Sequence, residues 1–83
     1  MDDLMKDVPA EDREWLAVEM AAAGEDWEDD CTVDNDRLAD VSKPEQVAAF
    51  EEAERQGCCG QASFRLGPAP SGATYVWGFN YGH

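Results

Sequence analysis

The hydrophobic pattern of the chain changes at Gly57 from a helical period to a period of two. Before this residue apolar side chains recur every three or four positions, and after it they alternate with polar ones. The alternating apolar residues are Ala62, Phe64 and Leu66 in a first segment and Tyr75, Trp77 and Phe79 in a second. The change predicts an α+β fold in one small domain, 1–83, with an acidic helical part, 1–57, and a β-hairpin part, 58–83.

The first predicted helix begins at Pro9 and ends at Gly24. Proline is favoured in a first turn, and glycine commonly follows a last turn. Glu11 and Asp12 are placed to complement the positive end of the helix dipole. Leu16, Met20 and Ala23 are expected to form its buried stripe, flanked by Trp15, Val18 and Ala22.

The second predicted helix lies between Ser42 and Gly57. Ser42 and Glu45 have the spacing of a capping box, and Gly57 is expected to end the helix in the left-handed conformation. The expected buried residues are Val47, Phe50 and Ala53, with Ala49 beside them.

The segment 25–41 admits two interpretations. Cys31–Asp34 is compatible with a short strand that would add a third strand to the hairpin. Asp34–Val41 is compatible with a short third helix, capped by Asp34 or Asn35. The expected architecture is therefore two or three N-terminal helices packed against a C-terminal antiparallel β-hairpin or small sheet. Its core is expected to join Phe64, Leu66, Tyr75, Trp77 and Phe79 to Trp15, Leu16, Met20, Val47 and Phe50.

The acidic residues are confined to one part of the chain. All 19 lie between Asp2 and Glu54, where there are four basic residues, and residues 55–83 contain two arginines and no acid. The formal net charge is −13. A field of this sign repels nucleic acid and anionic membranes and attracts basic protein surfaces, so we expect neither nucleic acid nor membrane as a partner.

The sequence contains no recognisable catalytic motif, so we expect a protein that is not an enzyme and uses no cofactor. It has no phosphate-binding loop, serine elbow or dinucleotide fingerprint, and its single histidine is the last residue. No signal peptide or membrane span is predicted, and three cysteines do not make a disulfide framework. A cytoplasmic location is expected.

The sequence offers ligand types for two kinds of metal site, zinc and calcium, but the spacing favours neither. Cys31, Cys58, Cys59 and His83 offer zinc-type ligands, but the spacing lacks a C-x-x-C pair, and small buried side chains are the simpler interpretation of the cysteines. Twelve-residue windows starting at Asp26 or Asp34 lack the glycine that a calcium-binding EF-hand loop requires.

The densest acidic run, Gly24–Asp36, suggests a function. It contains seven carboxylates, one tryptophan and no basic residue. Such a run is either a solvated, solubilising surface or a charge pattern that a partner recognises. Carboxylates at positions i and i+4 of a helix lie about 6 Å apart. Successive phosphates on one DNA strand are spaced on a similar scale. The spacing of the carboxylates therefore favours mimicry of the charges along a nucleic-acid strand.

In size, acidity and absence of catalytic motifs, the chain resembles the phage-encoded DNA-mimic inhibitors, which include anti-CRISPR proteins and inhibitors of restriction enzymes. The tail "GCCG…YVWGFNYGH" is also similar to the endings of short phage proteins, which often read "GCNYGH"; this chain has Phe79 at the cysteine position. The resemblance implies a non-enzymatic inhibitor whose partner is a basic nucleic-acid-binding protein, such as a CRISPR effector subunit or a restriction enzyme.

The predicted partner-binding surface consists of ten carboxylates and one aromatic residue. Trp27 is interpreted either as an aromatic anchor within the charged surface or as a core residue at the helix end. The alternative function is a small structural or regulatory interaction module, antitoxin-like, that binds through the hairpin. The predicted site residues are Glu25, Asp26, Trp27, Glu28, Asp29, Asp30, Asp34, Asp36, Glu51, Glu52 and Glu54.

Overall fold

The computed structural model describes residues 4–30, 32–57 and 60–82, with the side chains of 26–30, 32–34 and 82 excepted. Two helices and three strands form an α+β fold, as expected. The elements are α1 (Ala10–Asp30), β1 (Thr32–Asp40), α2 (Pro44–Gln56), β2 (Gly60–Leu66) and β3 (Tyr75–Gly82).

The three strands form one antiparallel sheet in the order β1-β3-β2, with β3 at the centre. The two alternating segments pair as the predicted hairpin, and β1 supplies the third strand. The short helix considered for Asp34–Val41 is wrong, because the chain there pairs with β3 up to Asp40. The register of β1 shifts between Asp34 and Arg37, where Asn35 has a φ of 55°. Asparagine tolerates this left-handed conformation better than most residues, which suits a bulge.

Helix α1 continues past Gly24 to Asp30, so the predicted stop is wrong. Gly24 is buried inside the helix, and a Cβ atom at this position would lie 3.0 Å from Cη2 of Trp77. The glycine therefore serves a close approach of α1 to the sheet. A local sequence signal for a helix end does not distinguish these two uses of glycine.

The N-terminus of α2 is not closed by the predicted capping box. Lys43 occupies the capping position without a side-chain hydrogen bond, and Pro44 takes the first turn. The backbone N–H and the hydroxyl of Ser42 instead both donate to Oδ1 of Asp40, at 2.9 and 2.7 Å. Ser42 therefore stabilises the turn between β1 and α2.

The C-terminus of α2 ends in extended backbone at Gly57, with φ −74° and ψ 141°, so the predicted left-handed stop is also wrong. The reason for glycine is again space. A Cβ atom at this position would lie 2.5 Å from the side-chain nitrogens of both Asn80 and Gln61. A side chain at this position would displace these two amide groups.

The two helices pack on opposite faces of the sheet. Trp77 belongs to the buried cluster that includes residues of α1, whereas its neighbour Gly78 faces Phe50 of α2. The expected single core is therefore wrong in one respect: the α1 side holds the main cluster, and Phe50 and Val47 lie on the other side with Ala39. The buried members of the main cluster are Val8, Leu16, Met20, Ala69, Tyr75, Trp77 and Phe79.

Aromatic contacts form the centre of the main cluster. The rings of Trp77 and Phe79 lie 4.9 Å apart in a tilted arrangement, and Phe64 stacks at 5.9 and 6.0 Å from the two. Pairs of this kind contribute about 0.5–1.5 kcal/mol beyond their buried area. The predicted strand alternation is thus confirmed: Phe64 and Leu66 face the cluster, while Ser63 and Arg65 are exposed.

Candidate functional site

The outward side of α1 combines carboxylates with small apolar side chains. Glu14, Val18, Ala21 and Glu25 follow one another at helical spacing, and all four are exposed, Val18 to 64%. Val18 and Ala22, expected beside the buried stripe, are both exposed. We call the set Glu14, Ala17, Val18, Ala21, Ala22 and Glu25 the α1 outer face.

The three predicted site residues of α2 have different surroundings. Glu51 is exposed and Glu54 is half-buried, and both line a groove with Arg65 of β2. Exposed Glu52 accepts hydrogen bonds from Nε of Arg55 at 3.1 Å and from Nε2 of Gln56 at 3.0 Å. These bonds hold the pKa of Glu52 below its ordinary value. Part of the α2 charge is therefore engaged within the helix.

Asp36 is the predicted site residue of β1 whose side chain the structure describes. It is exposed, and its Oδ2 accepts a hydrogen bond of 3.4 Å from Nε1 of Trp77. The carboxylate therefore satisfies the polar atom of an otherwise buried indole. This role is structural and leaves Asp36 accessible to a partner.

The remaining predicted site residues lie outside the described side chains. The backbone of Asp26, Trp27, Glu28, Asp29 and Asp30 forms the last turns of α1, and that of Asp34 lies in β1 opposite Asn80. Glu25 is thus continuous along the helix with the acidic run. The α2 carboxylates, in contrast, belong to the layer on the other side of the sheet, so the predicted surface is divided between two layers.

Within the described part of the chain, the acidic side chains have little local neutralisation. The structure describes all six basic residues, and it shows one salt bridge among the described side chains, from Arg55 to Glu52. Arg13 donates to the carbonyl oxygen of Val8 at 2.9 Å. Arg37 is buried and donates to the carbonyl oxygen of Asn35 and to Oδ1 of Asn80, at 3.0 and 2.7 Å.

One buried carboxylate was missed by the sequence interpretation. Asp12 is fully buried and accepts three hydrogen bonds: from the backbone N–H of Ser71 at 3.0 Å, the Ser71 hydroxyl at 2.6 Å and the Tyr75 hydroxyl at 2.8 Å. Desolvation raises the pKa of Asp12, but these bonds together outweigh it and leave the pKa below its ordinary value. The helix-dipole interpretation gave no hint of this, because both partners lie more than 50 residues away.

The described residues offer no metal-binding group of three or more histidine, cysteine or acidic side chains. Cys31, Cys58, Cys59 and His83 lie outside the described part of the chain. The backbone does not form the calcium loop considered for the windows starting at Asp26 and Asp34, because 26–30 is helical and 32–40 is a strand.

No protein-family model, curated protein or solved structure significantly matches the chain. Within the described residues, neither helix has the length and apolar character needed to cross a lipid bilayer.

Proposed function

We propose that the protein is a non-enzymatic inhibitor that mimics nucleic acid. Its acidic surface would block the DNA-binding channel of a host defence complex, as anti-CRISPR proteins and restriction inhibitors do. The partner is then a basic nucleic-acid-binding protein, such as a CRISPR effector subunit or a restriction enzyme, and the site of action is the cytoplasm.

The observation that carries this proposal is the lack of local neutralisation. Among the carboxylates whose side chains the structure describes, Glu52 is the one in a salt bridge, so most of these carboxylates face solvent or neutral groups. Mixed surfaces that serve solubility alone usually intersperse both signs of charge. An unopposed surface instead costs stability through self-repulsion, and binding to a row of lysine and arginine side chains would relieve that repulsion.

The α1 outer face supports a protein partner rather than solvation alone. Exposed Val18 lies between Glu14 and Glu25 on the same side of the helix. An apolar centre within a charged rim is the usual anatomy of a protein interface. The acidic run 25–30 follows along the same helix, toward the C-terminus of α1. The helical carboxylates therefore set the charge spacing, while the apolar centre supplies contact area.

The proposal is tested by DNA competition on a panel of purified CRISPR effector complexes and restriction enzymes. The variant replaces Asp26, Glu28, Asp29 and Asp30 with lysine. The wild type should displace target duplex from at least one complex or enzyme of the panel, and this displacement should weaken steeply as the salt concentration rises. The variant should not displace the duplex. If the variant is as stable as the wild type and still inhibits at the same protein concentration, nucleic-acid mimicry by this acidic run is excluded.

A matched control separates position from net charge. Replacing Glu51, Glu52 and Glu54 with lysine changes the charge by a similar amount on the opposite layer. If inhibition depends on the acidic run of α1, the α2 control variant should weaken inhibition much less than the 26–30 variant does. Equal loss in both variants would show that bulk charge alone drives the effect.

A second function, an antitoxin-like interaction module, is favoured by the position of β2. This strand lies at the edge of the sheet and has no neighbour beyond it among the described residues. A partner strand can extend such an edge through backbone hydrogen bonds. Binding of this kind should depend weakly on salt and should be lost when Ser63 is replaced by proline, with the acidic surface only solubilising.

A further inference from the structure

Arg37 is a buried cation at the outer edge of the sheet. The residue is 6% exposed, and its Cζ lies 5.6 Å from the ring centre of Phe50. Burial of a guanidinium group is costly unless its donors are satisfied.

The hydrogen bonds of Arg37 account for one nitrogen only. Nη1 donates to the carbonyl oxygen of Asn35 and to Oδ1 of Asn80. Nε and Nη2 are buried and have no hydrogen-bond partner among the described residues. These two nitrogens are the pair that forms a two-bond contact with a carboxylate or another oxyanion. The two adjacent donors Nε and Nη2 therefore call for an acceptor, and one oxyanion would satisfy both.

The space beside Arg37 is a pocket of about 350 Å³. It lies where the N-terminal segment 4–8, β1 and α2 meet, and its size is at the lower end of the range for small-molecule sites. Lys6 and Gln46 contribute further donor groups, and Asp7 lies at the same pocket. The remaining lining is apolar or aromatic: Leu4, Val8, Leu38, Ala49, Phe50 and Tyr75.

The lining indicates the class of ligand. An oxyanion head would fill the acceptor position at Arg37, and an apolar or aromatic body would contact the larger part of the wall. The negative field of the protein, together with Asp7 at the pocket, disfavours a doubly charged group such as phosphate. A single carboxylate carries the smallest charge that still accepts two hydrogen bonds.

We infer that the Arg37 pocket binds a small monocarboxylate with a flat apolar body, its carboxylate accepting from Nε and Nη2. This site is separate from the acidic surface and does not depend on the proposed inhibition. Because Arg37 and Phe50 join β1 to α2, an occupied pocket also stabilises the contact between these two elements.

Benzoate is a suitable probe, since it has the required charge and shape. Titration of the ¹⁵N-labelled protein should move the Arg37 Nε–Hε resonance in a saturable manner. Neutral benzamide has the same outline and should bind about tenfold more weakly, because it lacks the second acceptor oxygen and the charge. Inorganic phosphate should also bind more weakly than benzoate.

Two matched variants test the location without removing the buried cation. Ala49 lines the pocket, while its neighbour Ala48 is exposed and does not. Ala49→Trp should fill the pocket and weaken benzoate binding about tenfold or more, and Ala48→Trp should leave it within about twofold. Both variants keep the helix, since each changes one α2 residue with an exposed side chain.

Three results would overturn the inference. These are an Arg37 resonance that does not respond to benzoate, equal affinity for benzoate and benzamide, and wild-type affinity in a folded Ala49→Trp variant. Tighter binding of phosphate than of benzoate would overturn the ligand class, since the apolar wall would then contribute nothing.

Discussion

The hydroxyl of Tyr75 donates a hydrogen bond of 2.8 Å to Oδ2 of Asp12. This bond joins the first turn of α1 to the first residue of β3, two positions that are 63 residues apart in the sequence. Ser71 donates to the same carboxylate from the loop that precedes β3. Three donors on one buried carboxylate thus fix the position of α1 on the sheet.

Asp12→Ala should lower the melting temperature by several degrees. The substitution leaves the Tyr75 hydroxyl and the Ser71 backbone N–H without their acceptor. Thermal unfolding followed by circular dichroism measures the change, with Glu14→Ala, an exposed acid of the same helix, as the control. The double variant Asp12→Ala with Tyr75→Phe should be less destabilised than the sum of the two single changes. Strict additivity would mean that the bond contributes no coupling.

The Asp12 contribution should depend on pH in the acid range. The pKa of Asp12 is lowered in the folded protein, so its stabilisation is present above the unfolded value, about 3.9, and is lost as the pH falls through the folded value. The stability difference between wild type and Asp12→Asn should therefore be largest near neutral pH and should shrink in acid. Urea unfolding at a series of pH values measures it. A difference that stays constant down to pH 2 would contradict the folded-state shift.

Tyr75 should limit stability in the alkaline range. Burial, and then the adjacent Asp12 carboxylate, raise the pKa of the Tyr75 hydroxyl above its ordinary value. Its neutral form is thus favoured in the folded state, and the associated stability is complete below about pH 10 and falls as the pH rises above it. Tyr75→Phe should lose less stability than the wild type between about pH 9 and 11. Parallel losses in the two proteins would assign the alkaline effect to other groups.

Gly78→Ala should destabilise the fold by about 1–3 kcal/mol, because overpacking forces side chains from their preferred positions. The added Cβ atom would lie 2.7 Å from Cζ of Phe50 and 3.3 Å from the carbonyl oxygen of Ala62. Phe50→Leu shortens the obstructing side chain, so the double variant should be more stable than additivity predicts. Urea denaturation measures the free energies of unfolding. The control is Ser63→Ala, because Ser63 is the exposed residue of β2 that pairs with Gly78. An unchanged midpoint for Gly78→Ala would show that Phe50 moves freely.

The sequence predicted well those features that depend on neighbouring residues. The alternation in β2 and β3 identified Phe64, Trp77 and Phe79 as residues of the core face, since strand periodicity is a local property. The position of α2 followed in the same way from the spacing of Val47 and Phe50.

Features that depend on distant residues were not predictable in this way. Gly24 has the sequence signature of a helix stop, yet its use is set by Trp77, which lies elsewhere in the chain. Asp12 matches a helix-dipole residue, yet it is buried by Ser71 and Tyr75. The pocket beside Arg37 arises only when 4–8, β1 and α2 meet. The acidic residues could be counted from the sequence, but the sequence did not predict that they would be divided between two layers.

Added salt should stabilise the protein. With a net charge of −13 and one salt bridge among the described side chains, the dominant long-range electrostatic effect in the folded state is repulsion. Raising sodium chloride from about 10 to about 300 mM shortens the screening length from about 30 Å to below 8 Å, so the melting temperature should rise. Replacing the exposed Glu14 and Glu25, which lie outside the first turn of α1, with glutamine should raise the low-salt melting temperature and reduce its increase with salt. Choline chloride should act equally, since screening does not depend on the identity of the cation. A melting temperature that falls with either salt would mean that attractive charge pairs outweigh the repulsion, and the unopposed acidic surface on which the mimicry rests would be excluded.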